Sequence, residues 1–514
     1  MLDINLLINE FVVYAKKNLL SNTSYEDELF ARNLVLGELN LDSFKEIKLD
    51  SSRVKEIDEM KNPDYFVDSL TEYLKETTDL SDNEIDRKIT KILGLLTPFP
   101  SEVVRKFNDI YNKVSNEEAL KYLYSLSIYN DYVKKSKIDK NLVWSSDFED
   151  KNIEVSINLS KPEKNNKDIA KLLVKKDPSL EKYPKCLLCK ENLGYYGRDD
   201  HPARENIRLI PLNLEGERWY LQYSPYGYFN MHCIVLRDCH SNMVINESTF
   251  KKLTSFVDIF PYFFVGSNAD LPIVGGSILN HEHYQGGEHI LPIMHSKVRK
   301  YIDIDAKKHS SKVSILDWYN STILIEGKDK NDVTSIATKI LEHWKTYDDL
   351  ENDILSHEGD VRHNTITPCV RKIDDTYYLY LILRNNRCNE IYPDGIFHAH
   401  PEYHHIKHEG IGIIEAMGLF ILPARLIRQF EQIKVCLKNH LNDDEIVSTY
   451  PDMTGNFLTM IHELKENYSE ETIDKDIRSY INKVCMNILK NTAVFKEDEK
   501  GQDGFIKFLK GVNF

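Results

Sequence analysis

Long apolar runs are missing from this chain, and no uninterrupted hydrophobic stretch approaches the roughly 20 residues that a membrane-spanning helix needs. Base is missing from the first ten residues, where Asp3 and Glu10 stand in a segment that an export signal would make positive, so the chain reads as untargeted and cytoplasmic. Positive charge is in deficit: 66 Lys and Arg against 81 Asp and Glu give a formal net charge of -15. That balance works against a nucleic-acid partner, which needs clustered bases to neutralise phosphates, but it permits a single nucleotide in a pocket. Cysteine is sparse, with 8 in 514 residues, which excludes a disulfide scaffold and points to reduced thiols. What the chain does have is 41% hydrophobic and 29% charged residues, enough to build roughly two to four folded units.

Up to about residue 145 the pattern is helical. Leu7, Phe11 and Tyr14 recur at helical spacing, Pro100-Ser101 marks one helix start, and Ser115-Asn116-Glu117-Glu118 reads as a capping box for another. Alternation of period two begins at Ile153, Val155, Ile157 and Leu159 and ends in the polar run Ser160 to Lys167. Further strands are expected at Arg208–Leu212, Trp219–Tyr223, His232–Leu236 and Tyr377–Arg384, with a helix from about Ser248 to Phe260. From about Glu415 onward the pattern is again helical. The fold class is therefore α+β with a mostly antiparallel sheet.

One stretch concentrates chemistry. Gly275-Gly276-Ser277-Ile278-Leu279-Asn280-His281-Glu282-His283-Tyr284-Gln285-Gly286-Gly287 carries two histidines and a glutamine at alternate positions. Residues two apart diverge on a helix but line one face of a strand, so His281, His283 and Gln285 converge only if the chain is extended. The flanking glycines let backbone N–H groups approach an anion closely. A lone H-x-H is more often a surface or core pair, but this one is framed by the apolar segments Phe263–Val265 and Leu271–Val274. His283 suits nucleophilic attack on phosphorus, because imidazole titrates near pH 6.5. Gln285 offers an uncharged N–H donor to a phosphate oxygen.

Cys186-Leu187-Leu188-Cys189 has the spacing of half a tetrahedral zinc site. C-x-x-C also serves as a redox pair, but the βαβ setting for that use is not recognisable here, and no second C-x-x-C is present. The remaining ligands would be histidines, His240 and His281 first among them, with Cys239 competing for the third position. A metal on His281 would fix the backbone that carries His283.

These residues sit in segments that resemble the bacterial class II galactose-1-phosphate uridylyltransferases: Tyr183–Cys189, His201–Arg204, Gln222–Tyr226, Phe264–Ser277, His281–Gly287 and Gly395–His398. The likeness runs from about Trp144 to Arg425. It implies the histidine-triad superfamily, with Gln285 standing where the hydrolases have their last histidine. It also implies two histidine-triad-like halves, at 146–350 and 351–430, between helical regions at 1–145 and 431–514. The repeated spacing of His398-Ala399-His400 agrees with such a duplication.

The implied reaction is UDP-glucose plus galactose 1-phosphate giving glucose 1-phosphate plus UDP-galactose, by a ping-pong route through a uridylyl-histidine at His283. The resemblance puts Asn268 near the ribose or uracil, Ser277 and Gln285 at the phosphates, and Glu415 on hexose hydroxyls. It implies zinc on Cys186, Cys189, His240 and His281, and a homodimer. Class I enzymes have proline where this chain has Glu282. Their second metal site uses an H-x-H resembling His398 and His400 plus a glutamate with no counterpart placed here, so a second metal is left unassigned. The alternatives are a relative with another acceptor, such as a nucleotide phosphorylase, and a zinc-stabilised nucleotide-binding protein without turnover.

Overall fold

The N-terminal helices begin where the sequence marks them in the structure, a computed structural model that describes residues 3–20, 24–148, 150–160 and 183–514. Pro100 opens the helix Pro100–Lys113, where its missing N–H costs nothing. Ser115 caps Asn116–Tyr129 by accepting the N–H of Glu118 at 3.1 Å. Most of the polar run after Ser160, from Lys161 to Lys167, lies outside the described residues.

The chain divides into two units, Met1–Lys140 with Lys164–Ser241, and Asn141–Glu163 with Asn242–Phe514. In the first unit, helices between Ile4 and Asp139 precede an antiparallel sheet of Ile210–Leu214, Glu217–Tyr223 and Cys233–Arg237. Leu7, Phe11 and Tyr14 are buried as their spacing predicts, with the Phe11 and Tyr14 rings 4.9 and 5.1 Å from that of Phe66.

Polar pins tie these helices to the segment that follows the cysteines. Asn130 and Asn206 each donate a side-chain amide to the other's carbonyl, at 2.7 and 2.8 Å. Arg208 donates to the carbonyls of Pro98 at 2.6 Å and Thr97 at 2.9 Å, just past the C-terminus of the helix Asp82–Leu96, where carbonyls lack helical partners and a cation is favoured.

The second unit holds a three-stranded sheet, Leu142–Phe148, Lys151–Asn158 and Leu419–Pro423. Its larger sheet runs in the order His283–Gly287, Phe264–Gly266, Asn364–Ile373, Thr376–Asn385, Thr322–Gly327, Lys312–Leu316, Val298–Ile302, all antiparallel neighbours. The helices Glu247–Ile259 and Lys330–Trp344 pack on it through buried Phe250, Phe256, Ile336 and Ile340. The C-terminal helix Glu499–Gly511 docks by its aromatics, Phe508 meeting Trp344 edge-on at 5.2 Å. The class is α+β and mostly antiparallel, as expected.

Two local expectations need correction. The region after Glu415 is not wholly helical: Leu419–Pro423 is a strand, paired in parallel with Lys151–Asn158. Its continuous apolar run is buried on both sides, and such a run carries no period that separates strand from helix. The histidine row is also shorter than expected, because the strand starts at His283 and His281 lies in the bend before it.

Candidate active site

His283 heads the strand His283–Gly287, which pairs with Phe264–Gly266 in a register that sets Gln285 opposite Gly266 and Gly286 opposite Val265. Gly286 is required by this approach, since a Cβ there would collide with the carbonyl oxygen of Phe264. His283 and Gln285, two apart, share a strand face. The other neighbour, Glu282, is buried with an ion-pair distance of 3.8 Å to Lys252 and accepts the Tyr284 hydroxyl at 3.2 Å. An acid here in place of proline is thus a packed internal feature.

The His283 ring is 5% exposed, and its Nδ1 lies 2.8 Å from the carbonyl oxygen of His281. A carbonyl can only accept, so Nδ1 carries the proton and Nε2 keeps its lone pair. Burial lowers the pKa to about 4. The imidazole therefore stands neutral, in one tautomer, near neutral pH.

Asn268 is buried beside this strand pair, and its Oδ1 accepts the N–H of Ile413 at 2.8 Å. Two glycines make room for it. A Cβ at Gly276 would lie 2.6 Å from Asn268 Nδ2, and one at Gly412 would lie 2.9 Å from Asn268 Oδ1 and 3.5 Å from Glu415 Oε2. The fold thus brings Asn268 and Glu415 together around Gly412. Glu415 accepts from Lys407 Nζ at 3.0 Å, and the same ammonium donates to the carbonyl of Ile421 at 2.9 Å. Ser277 is exposed in the loop between Gly276 and Asn280.

That loop begins with a strained turn that sequence reasoning missed. Val274 N–H bonds the carbonyl of Pro272 at 2.9 Å around Ile273, whose φ is 72°. This is the uncommon hand of a γ-turn at a β-branched residue. The signal available was Pro272 before two β-branched residues and a Gly pair, which marks a turn without giving its hand.

In the first unit, Cys186, Cys189 and His240 offer ligand atoms that lie within 4.8 Å of one another. The two Sγ atoms are 3.5 Å apart, and Cys189 Sγ is 3.2 Å from His240 Nδ1. The N–H of Leu188 points at Cys186 Sγ at 3.4 Å, and the Asn192 amide donates to the carbonyls of Cys186 at 2.9 Å and Cys189 at 2.7 Å. Asn192 is held in turn by His201 at 2.6 Å. The hydrogen bond with Cys189 lowers the Cys186 thiol to about 7. Two soft thiols and an imidazole on a braced turn fit a zinc-type cation. Cys239, the competitor for the third position, is exposed and directs its thiol at Asp238. His281 belongs to the second unit, where it is buried.

The family model described as galactose-1-phosphate uridyl transferase, N-terminal domain, matches residues 50–242. A galactose-1-phosphate uridylyltransferase of Clostridium acetobutylicum is 42% identical, over 98% of this chain and 99% of that protein. One of Caldanaerobacter subterraneus subsp. tengcongensis is 43% identical over 92% of each chain, and one of Fusobacterium nucleatum 38% over 99% of each. Among solved structures, yeast Ap4A phosphorylase Apa2 in complex with Ap4A aligns at a TM-score of 0.34 and 11% identity, over 63% of this chain and 96% of that one. An α+β chain with these relatives is a nucleotidyltransferase. It belongs to the galactose-1-phosphate uridylyltransferase family.

Proposed function

We propose that this chain exchanges a uridylyl group between hexose 1-phosphates, converting UDP-glucose and galactose 1-phosphate into glucose 1-phosphate and UDP-galactose in the Leloir pathway. Nε2 of His283 attacks the α-phosphorus of UDP-glucose. The bond from that phosphorus to the bridging oxygen breaks, and glucose 1-phosphate leaves with the electron pair. A phosphate oxygen of galactose 1-phosphate then attacks the same phosphorus, and the His283 nitrogen leaves. The observation that carries this reading is the bond from His283 Nδ1 to the His281 carbonyl, which leaves Nε2 unprotonated in a buried site. Phosphate is a good leaving group, so an uncharged amide at Gln285 suffices to hold a non-bridging oxygen without acting as an acid.

Asn268 is assigned to the nucleoside, Ser277 and Gln285 to the phosphates, and Glu415, kept in place by Lys407, to hexose hydroxyls. Cys186, Cys189, His240 and His281 are assigned to zinc, which when bound stabilises structure rather than reacting, by fixing the turn that leads to His283. The reading includes a cytoplasmic homodimer and two histidine-triad-like halves, at 146–350 and 351–430, between helical regions at 1–145 and 431–514.

The test is to mix the protein with UDP-glucose labelled at the α-phosphate, quench without acid, and map the adduct. Label on His283 that galactose 1-phosphate discharges as UDP-galactose supports the reading. UDP-glucose bound with no adduct and no exchange sinks it in favour of a binding protein. An adduct that only another acceptor discharges changes the pathway.

A further inference from the structure

A second group of ligating side chains lies in the second unit, away from the thiol cluster. Asp394, His404 and His408 each offer a ligand atom, and these atoms lie within 4.8 Å of one another. No helix face arranges them. The chain turns after the short 3-10 helix Pro401–Tyr403, with the N–H groups of Ile406 and Lys407 both 3.0 Å from the Tyr403 carbonyl. This turn sets the rings of His404 and His408 4.5 Å apart, edge to face.

The surroundings are built for a cation in three respects. His404 Nε2 lies 2.9 Å from the carbonyl of Ala399, so Nε2 carries the proton and Nδ1 keeps the lone pair, and metal-bound imidazoles make this same outward bond. Asp394 stands on a loop fixed by other contacts. Tyr392 N–H bonds Asn389 Oδ1 at 2.7 Å, Gly395 N–H bonds the Tyr392 carbonyl at 3.1 Å, and Ile396 N–H bonds the Arg387 carbonyl at 2.9 Å. The nearby His398 is committed elsewhere, its Nε2 accepting the N–H of Ile411 at 3.1 Å.

We propose that Asp394, His404 and His408 bind a divalent first-row transition cation through two imidazole nitrogens and one carboxylate oxygen, water completing the shell. A donor set with two nitrogens selects such ions over magnesium or calcium, which take oxygen alone. The cation would tie the loop bearing Asp394 to the turn that runs through Lys407 to Ile411 and Ile413. Those residues hold Glu415, His398 and Asn268 in place. The site is therefore a clasp behind the residues assigned to substrate, and its metal binding is independent of that assignment.

The full-length protein, stripped of metal under reducing conditions, is titrated with cobalt(II) alone and followed by absorbance and bound-metal analysis. Thiolate ligands give an intense near-ultraviolet charge-transfer band, whereas a nitrogen and oxygen site gives only weak visible bands. The wild type should take up one more equivalent than His408→Gln or Asp394→Asn, and that equivalent should add no thiolate band and persist in Cys189→Ser. Equal uptake by wild type and both clasp variants overturns the proposal, as does loss of the extra equivalent in Cys189→Ser. His408 and Asp394 are exposed, so coincident melting curves of the stripped proteins establish that the variants are folded.

Discussion

His283 donates its Nδ1 proton to the backbone of His281, 2.8 Å away, and that bond selects which ring nitrogen can act. Because the acceptor is a main-chain carbonyl, no side-chain substitution at His281 removes it directly. The nucleophile can be removed only at His283. His283→Ala should lower kcat by roughly 10⁴-fold or more, as loss of a covalent nucleophile does, while the affinity for UDP-glucose changes little. Steady-state exchange and equilibrium binding measure the two. A loss of less than tenfold would remove His283 from the chemistry.

The acceptor role of Asn268 can be separated from its donor role. Asn268→Ala leaves the Ile413 N–H unsatisfied in a buried place, which costs about 1–3 kcal/mol. Asn268→Asp keeps an oxygen for Ile413 but loses the amide donor. The Ala variant should melt earlier than the Asp variant, while both raise KM for UDP-glucose. Identical melting of the two would show that the bond to Ile413 is not what holds this loop.

Lys407 and Glu415 form a buried pair with side chains 6% and 11% exposed. Removing one partner strands the other charge, and such losses run at about 3–5 kcal/mol. Lys407→Met should therefore destabilise strongly, and Lys407→Met with Glu415→Gln should recover part of the loss while leaving the catalytic defect of Glu415→Gln alone. A double-mutant cycle in denaturant gives the coupling. Additive effects would mean that the pair is incidental.

Much of this was legible because short-range patterns determine it. The helix starts at Pro100 and Ser115 follow from backbone donors that must be met within a few residues, and the strand at Tyr377 from aromatic and aliphatic bulk. The closeness of Cys186, Cys189 and His240 in the first unit was foreshadowed by C-x-x-C and one downstream histidine. What escaped depends on long-range partners. Leu419–Pro423 becomes a strand only because Lys151–Asn158 waits beside it, and His281 falls in the bend just before the strand His283–Gly287 begins. The exchange between Asn130 and Asn206, 76 positions apart, has no local trace at all.

Removing the thiol cluster should act on structure before chemistry. Cys189→Ser should remove one equivalent of copurifying zinc and lower the melting temperature, and chelation of the wild type should reproduce the shift. If zinc content falls and the melting temperature does not move, the ion is not a structural element of this fold.

A pH-dependent test lies at Glu205. Burial raises its carboxyl pKa from 4.5 to about 7, Glu38 adds to the rise and Lys91 opposes it, and Oε2 finds no hydrogen-bond partner among the described residues. A group whose folded pKa is raised contributes stability fully below its unfolded pKa, near 4.5, and loses it as pH climbs through 7. Glu205→Gln removes that dependence, because the amide stays neutral throughout. The variant should therefore gain on the wild type in melting temperature between pH 5 and pH 8, with the change centred between the two pKa values. A difference that stays constant across that range would mean that Glu205 is already ionised in the folded protein at pH 5, with Lys91 meeting its charge.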